Sequence, residues 1–231
     1  MAVVKQKETQ IKSKQRVAER GEVFTAEREV KAMCDLVADE CLRPDSRFLE
    51  PACGDGNFLS EILRRKLSEL RRKYRNSPID FEKQSIVAIG SLYGIDIMYD
   101  NVLVCRDRLF SIWNEEYTAH RKTVASDETR EAAKFIIGRN IVNGNALTNK
   151  CVDSDGNDNS AFIVFSEWAL VCGNQIQRTD YLMSELLFNN NTCVSGGMAD
   201  FFAVTEEKKE ECGLFLNRYI THYKNVQNHG E

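Results

Sequence analysis

Leu49-Glu50-Pro51-Ala52-Cys53-Gly54-Asp55-Gly56-Asn57-Phe58 is the stretch that decides the fold, because it reads as a strand running into a tight glycine turn and then a helix. Arg47 to Glu50 follow the charged corner Arg43-Pro44-Asp45 and supply the strand. Gly54 and Gly56 allow backbone angles and close approaches that a side chain would block. From Phe58 onward Leu59, Leu63, Leu67, Leu70 and Tyr74 recur at helical spacing, so one face can pack on a sheet. Arg64, Arg65, Lys66, Arg71, Arg72 and Lys73 then mostly face water. The first turn of such a helix offers free N–H groups to the crevice at the carboxyl end of the strand, where open α/β sheets hold ligands. A Gly-x-Gly alone is also an ordinary turn. Glu50 and Asp55, however, put two carboxylates beside it, which suits a ligand with a positive amine better than a pyrophosphate.

Three further stretches bear on the same ligand. Gly21-Glu22-Val23-Phe24-Thr25-Ala26 leads into a capped amphipathic helix with Val30, Met33, Val37 and Cys41 on one face. Ile86 to Ile97 is an apolar run, read as the next strand, that ends in Gly94-Ile95-Asp96-Ile97. A carboxylate at that end can accept two hydrogen bonds from ribose hydroxyls, or it can simply open the helix expected from Tyr99 to Arg121. Asn140-Ile141-Val142-Asn143-Gly144-Asn145-Ala146-Leu147 places an amide after a glycine, where Asn145 can donate to and accept from a purine edge; a plain Asn-Gly turn is the alternative.

Leu49 to Phe58 closely resembles the first cofactor motif of adenine-specific DNA methyltransferases, the S-adenosylmethionine-dependent enzymes of restriction-modification systems. The other three stretches match that family's elements in order, and the resemblance spans roughly Gly21 to Leu147. It implies an α/β, Rossmann-like S-adenosylmethionine-dependent methyltransferase fold, with an incomplete sheet, added helices and a hairpin. It also implies S-adenosylmethionine as cofactor. Phe24 and Thr25 would close over the methionine carboxylate, with Glu50, Ala52, Gly54, Asp55, Gly56 and Asn57 around the methionine end. Asp96, beside Ile97, would take the ribose, and Asn145, beside Ala146, the adenine.

The resemblance stops at the acceptor. Adenine methyltransferases carry an Asn- or Asp-Pro-Pro-aromatic signature after the next strand, which grips the target amino group and stacks on the flipped base. The prolines of this chain are Pro44, Pro51 and Pro78, all before the third motif. The corresponding strand, expected over Ala161 to Phe165, runs into Ser166-Glu167-Trp168. Trp168 can stack and Glu167 can accept from an amine, which makes them the available catalytic candidates. The competing reading is a hairpin turning at Cys172-Gly173-Asn174, with Trp168 as packing and Glu167 on its wet face. Beyond it, Ala169 to Glu231 cannot hold both the about three strands missing from the sheet and a recognition domain of roughly a hundred residues. Thr192 to Val204 read as short extended pieces around Gly196-Gly197. Thr205 reads as the N-cap of a last helix with Leu216, Ile220 and Tyr223 on one face.

Composition is that of an ordinary folded domain, with 42% hydrophobic and 29% charged residues, which excludes wholesale disorder. No apolar stretch approaches a membrane span and the N-terminus lacks a signal-peptide core, so the cytoplasm is the default expectation. The eight cysteines have no Cys-x-x-Cys spacing and no nearby histidine pair, so reduced thiols and no metal site are expected. Residues 1–20 form a basic leader, read as a flexible tail, ahead of a single domain over 21–231; the chain as a whole carries −4. Asp153-Ser154-Asp155-Gly156-Asn157-Asp158 begins like a calcium loop, but Val164 stands at the closing position, and a polar hairpin turn is expected instead. Ser126 caps a helix through Ile137. The functional expectation is an S-adenosylmethionine-binding, DNA adenine methyltransferase-like chain whose catalytic apparatus is incomplete, with DNA as its partner. The alternatives are a non-catalytic accessory or regulatory subunit of a methylation or restriction system, beside a catalytic or target-recognition subunit, and a methyltransferase with an RNA or protein acceptor.

Overall fold

Phe48–Glu50 (β1), Leu92–Asp96 (β2) and Ile141–Asn145 (β3) lie side by side as parallel strands in the computed structural model, which describes residues 12–20, 22–121, 125–183 and 216–229. Lys150–Val152 (β4) and Asp158–Phe162 (β5) continue the sheet antiparallel, giving the order β1-β2-β3-β4-β5 and a mixed α/β architecture. The β4–β5 connection is the expected polar turn. Asp153 Oδ1 accepts from the N–H groups of Asp155 and Asn157, each at 2.9 Å, and Gly156 takes φ 82°. A second, antiparallel sheet consists of Val164–Leu170 (β6), Gln175–Leu182 (β7) and Asn217–His222 (β8). Its first hairpin turns at Gly173, as expected, with φ 58°.

The helices are Lys14–Arg20 (α1), Glu27–Asp35 (α2), Ala38–Leu42 (α3), Asn57–Lys73 (α4), Pro78–Gly90 (α5), Tyr99–Arg121 (α6) and Asp127–Asn140 (α7), of which α4 to α7 pack on one face of the first sheet. Leu59, Leu63, Leu67 and Leu70 of α4 are fully buried, so the leucine spacing is the packing stripe it looked like. They join residues of α5, α6 and α7 and the inward side of β1 to β3 in one apolar cluster. Tyr93 and Ile95, on the other side of the sheet, pack against Ile163, Phe165, Tyr181 and Met183, which bring the second sheet onto it. Lys66 is buried within α4. Its ammonium donates to the carbonyls of Arg43, Pro44 and Ser46 at 2.8, 3.2 and 2.5 Å and to Ser91 Oγ at 2.8 Å. Those contacts fasten the corner that feeds β1.

Several expectations need correction. Ile86 to Gly90 belong to α5, which begins at Pro78, and the strand starts only at Leu92. That helix is buried almost all round, from Ser85 to Gly90, so its apolar run carried no helical periodicity to distinguish it from a strand. The expected strand over Ala161 to Phe165 is divided between β5 and β6 at Ile163. Residues 217–222 form a strand paired to β7, not the end of a helix; Tyr219-Ile220-Thr221 is β-favouring and Ile220 is exposed on the sheet edge. Thr205 and Thr192 to Val204 lie outside the described residues. The helix after Thr25 breaks at Leu36-Val37 into α2 and α3, and it buries Val30, Cys34 and Cys41 while Met33 and Val37 stay exposed. Finally, the basic leader is not a free tail over residues 14–20, because α1 is anchored to α6. Arg16 donates to both carboxylate oxygens of Asp100 at 2.7 and 3.0 Å, and Lys12 reaches the same group at 3.0 Å. No helix among the described residues is long and apolar enough to cross a membrane.

Candidate cofactor cleft

The carboxyl ends of β1, β2 and β3 open into a cleft of about 530 Å³ between the β1–α4 turn and the segment preceding α2. Phe24, Thr25, Glu50, Ala52, Gly54, Asp55, Asn57, Asp96, Ile97, Asn145 and Ala146 all line it, although they come from four separate parts of the chain. Gly56 does not. It is the left-handed N-cap of α4, with φ 86°, and a Cβ there would lie 2.6 Å from Cys105 Sγ, so its role is to let α4 close on α6. Gly54 has φ 54° and sits under the Phe24 ring, 3.0 Å from where a Cβ would be.

Hydrogen bonds lock the turn to the next strand. The Cys53 N–H donates to Ile95 O at 2.8 Å, and the Gly54 N–H donates to Asp96 Oδ2 at 2.9 Å. Asp96 Oδ1 accepts from the Met98 N–H at 2.7 Å and from Asn101 at 3.3 Å. Asn101 also donates to Glu22 at 2.6 Å, and Arg16 pairs with Glu22 at 2.6 Å, so α1 and the strand-end acid belong to one network. Burial pushes the Asp96 carboxyl above its usual range against these donors, and the nearby Glu22 charge adds to the rise. Glu50 is likewise raised by burial, with the backbone at Ala52 pulling the other way.

Asp55 divides its two oxygens. Oδ2 pairs with Arg108 at 2.8 Å, and Arg108 also donates to Asn57 Oδ1 at 2.7 Å. Oδ1 is buried with no hydrogen-bond partner among the described residues. The Asn57 amide in turn donates to Thr25 O at 3.2 Å and ties α4 to the segment before α2. Asn145 combines both of its expected readings, since it lines the cleft while its Oδ1 caps the turn by accepting from the Leu147 N–H at 3.0 Å. Its amide donates to Asp158 at 3.1 Å. The Cys53 thiol is buried against Cys105, and that hydrogen bond together with desolvation drives it far above the usual thiol range, so it stays protonated.

No protein-family model, curated protein or solved structure matches the chain.

Glu167 and Trp168 are not at the cleft. Glu167 is buried rather than on a wet face, paired with Arg47 and accepting from Tyr181 Oη at 2.9 Å. Trp168 packs over Gly90, where a Cβ would stand 2.9 Å from its ring, and meets Phe135 edge-on at 6.2 Å between centroids. Its reading as packing holds. Sequence reasoning missed Glu22, Asn101 and Arg108. Asn101, Cys105 and Arg108 recur at helical spacing along α6, and that stripe of two polar residues and a thiol on the inward face was the available signal.

Among the described residues the cleft walls thus carry Glu22, Glu50, Asp55 and Asp96 and no lysine or arginine. Arg16 offsets Glu22, and Arg108 offsets one oxygen of Asp55. Glu50 and Asp96 have no ion-pair partner among the described residues, although Asp96 already accepts from Gly54, Met98 and Asn101, and the second oxygen of Asp55 has no hydrogen-bond partner among them. A group carrying positive charge and N–H donors satisfies them; a phosphate would meet like charge.

Proposed function

We propose that this chain binds S-adenosylmethionine in the acidic cleft, on a Rossmann-like scaffold of the kind its motifs resemble. The observation that carries the reading is the unpartnered, buried Asp55 Oδ1 in a cleft wall that also holds Glu50 and Asp96. An ammonium donor beside Asp55 and Glu50 removes an unmet buried acceptor, and ribose hydroxyls suit the carboxylate at the end of β2. Asn145 and Ala146 then border the adenine, and Phe24 and Thr25 cover the methionine end. The cleft volume falls within the usual range for small-ligand sites, about 300–1,000 Å³. When bound, S-adenosylmethionine supplies a methyl group on a sulfonium; the residues on this chain bind, orient and screen it from water.

Two readings of the downstream role follow, and burial of Glu167 and Trp168 favours one of them. An active DNA adenine methyltransferase needs acceptor and stacking groups at the mouth of the cleft. Glu167 is committed to Arg47 and Tyr181, and Trp168 to packing against α5 and α7. We therefore favour a cofactor-binding accessory or regulatory subunit of a DNA methylation system over a self-sufficient enzyme. Titration calorimetry with S-adenosylmethionine tests the site: binding is expected, and Asp96→Ala should weaken it at least tenfold. No heat of binding at high protein concentration would overturn the assignment. Transfer of radiolabelled methyl groups to DNA by the purified chain alone would reverse the preference for the accessory role, and transfer to RNA or protein would move the acceptor.

A further inference from the structure

We infer that the end of the molecule opposite the cleft binds the phosphate backbone of a nucleic acid, independently of base sequence. An open groove of about 880 Å³ lies there between the last turns of α4 and α6, with Arg71, Arg72, Arg75, His120 and Arg121 among its walls. Among the described residues, Glu69 is the one acid that lines it. In a chain of net charge −4 this is a local inversion of sign.

The direction of the two helices puts the charge there. Asn57 at the start of α4 and Asn101 near the start of α6 both line the cleft, whereas Arg71, Arg72 and Arg121 stand at the far ends of the same helices. The 17 residues of α4 set the groove about 25 Å from the cleft. Its floor is held in place. His120 Nε2 meets Tyr74 O at 3.2 Å, and the imidazole lies 4.2 Å from the Phe81 ring between centroids. Arg121 pairs with the buried Glu82 at 2.7 Å, but Lys224 reaches the same carboxylate at 3.2 Å, so positive charge exceeds negative at that point.

A cation in the last turn of a helix ordinarily complements the helix dipole. That account covers neither the concavity shared by two helix ends nor Arg75, which follows the end of α4, is exposed, and has no ion-pair partner among the described residues. Arg71 and Arg72 are 57% and 75% exposed, and they pair with Glu116 at 3.3 Å and Glu69 at 2.5 Å. Such surface pairs contribute little, so a phosphate can replace either glutamate at small cost. Guanidinium forks match phosphate oxygens two at a time. The walls offer little to a protein partner: Pro78 and Ala119 line the groove, but among the described residues no phenylalanine, tyrosine, tryptophan, methionine or leucine does. The occupant is therefore a polymer with its negative charge on the outside. A backbone held here is out of reach of the cleft, so the groove anchors the chain and presents no acceptor. The binding does not depend on what the cleft holds.

The test follows the anisotropy of a short fluorescein-labelled DNA duplex of mixed sequence titrated with the full chain. Saturable binding at low salt is expected, with the same affinity in the presence of S-adenosylmethionine. Roughly three to four phosphate contacts should give a slope of about −3 when log K is plotted against log salt. Arg75→Ala should reduce that slope by about one, a change that a merely structural role would not produce. Arg75→Glu should weaken binding severalfold, and Arg71→Glu combined with it at least tenfold. Both side chains are exposed, so these variants should keep the wild-type circular dichroism and unfolding midpoint. Lys134→Glu makes the same change of charge as Arg75→Glu at a residue outside the groove, and should leave binding close to wild type. An RNA duplex of equal length shows which backbone is preferred, and binding of either through Arg71 and Arg75 supports the site. No binding of either, binding that survives the double variant, or an equal loss in Lys134→Glu would overturn the proposal. Displacement of the duplex by polyglutamate as effectively as by unlabelled duplex of equal charge would assign the groove to an acidic protein and overturn it as well.

Discussion

Gly54 and Gly56 sit two residues apart in one turn, yet substitution at each should fail differently. At Gly56 a methyl group meets Cys105 Sγ at 2.6 Å on a backbone of φ 86°, and neither α4 nor α6 can give way cheaply. Gly56→Ala should cost about 1–3 kcal/mol in urea unfolding, and Cys105→Ala in the same chain should recover part of it by removing the clash but not the strain. At Gly54 the obstructing atom belongs to the Phe24 ring, 3.0 Å away, which can rotate into the cleft. Gly54→Ala should therefore carry the backbone strain of φ 54° without a clash against a helix and should in addition lose ligand affinity, two effects that thermal unfolding and calorimetry separate. Asp55→Asn keeps the Arg108 contact through its amide oxygen but removes the charge beside the buried second oxygen. A tenfold or greater loss of S-adenosylmethionine affinity is expected, in keeping with about 1.5–3 kcal/mol for a hydrogen bond to a charged group. The glycines and the acids at 50, 55 and 96 were legible in the sequence because their chemistry is written within a few residues of a turn. Arg108, Asn101 and Glu22 were not, since what they touch is decided by how α6 and α1 fold back over 50 to 80 positions of chain.

α4 shows how an element can hold a polar group in its buried face. Lys66 lies in the leucine stripe, and its ammonium replaces water with three carbonyls and a hydroxyl at the entrance to β1. Lys66→Met keeps the aliphatic bulk but leaves those acceptors unmet, and a loss of about 1–3 kcal/mol is expected. Burial holds the ammonium at about 7, below its value of 10.5 in the unfolded chain, so the unfolded state binds more protons between those values. Stability should rise with pH across that window and be lost as pH falls toward 7; denaturant titrations of Lys66→Met should lack that slope. α1 presents the opposite case, an element held by surface charge. Asp100 is drawn well below the usual carboxylate range, chiefly by hydrogen bonding to Arg16, and both Arg16 and Glu22 belong to the cleft network. Asp100→Asn should loosen α1 and expose residues 14–20 to proteolysis, with added salt producing a smaller version of the same effect. At this scale α6 was read from Tyr99 to Arg121 with the boundaries it has, because its polar and apolar residues alternate at helical period. α5 was not, because a helix buried on most sides has no period, and the strand at 217–222 was misread because the spacing of Leu216, Ile220 and Tyr223 also fits a helix face and the pairing with β7 that decides between them is not local.

Two sheets meet in this molecule through charge as well as apolar packing. Arg47, just before β1, pairs with Glu167 on β6, and Tyr93 Oη on β2 donates to Ser166 O at 3.2 Å. On the far side Arg178 lies against three aromatic rings, those of Phe135, Trp168 and Tyr219, while gripping Asp180 at 2.7 Å. Glu82 of α5 gathers Arg121, Thr129, Tyr223 and Lys224, joining α6, α7 and the segment after β8 at one buried carboxylate. These contacts place Glu167 and Trp168 in the machinery of assembly and leave the cleft to the ends of β1 to β3. Stability and ligand response should then separate across the molecule. At a free S-adenosylmethionine concentration a hundred times its Kd, binding contributes about 2.7 kcal/mol, which in a chain of this size raises the unfolding midpoint by roughly 5–10 °C. Glu167→Ala removes one partner each from Arg47 and Tyr181, and should lower the midpoint of the free protein while leaving that ligand-induced rise intact. Asp55→Asn should leave the free midpoint near the wild-type value and abolish most of the rise. Scanning fluorimetry of the two variants with and without S-adenosylmethionine reads both quantities at once. Loss of the rise in Glu167→Ala, with its fold retained by circular dichroism, would place Glu167 in the ligand's site after all and restore it as a candidate for the acceptor end of a methyl transfer.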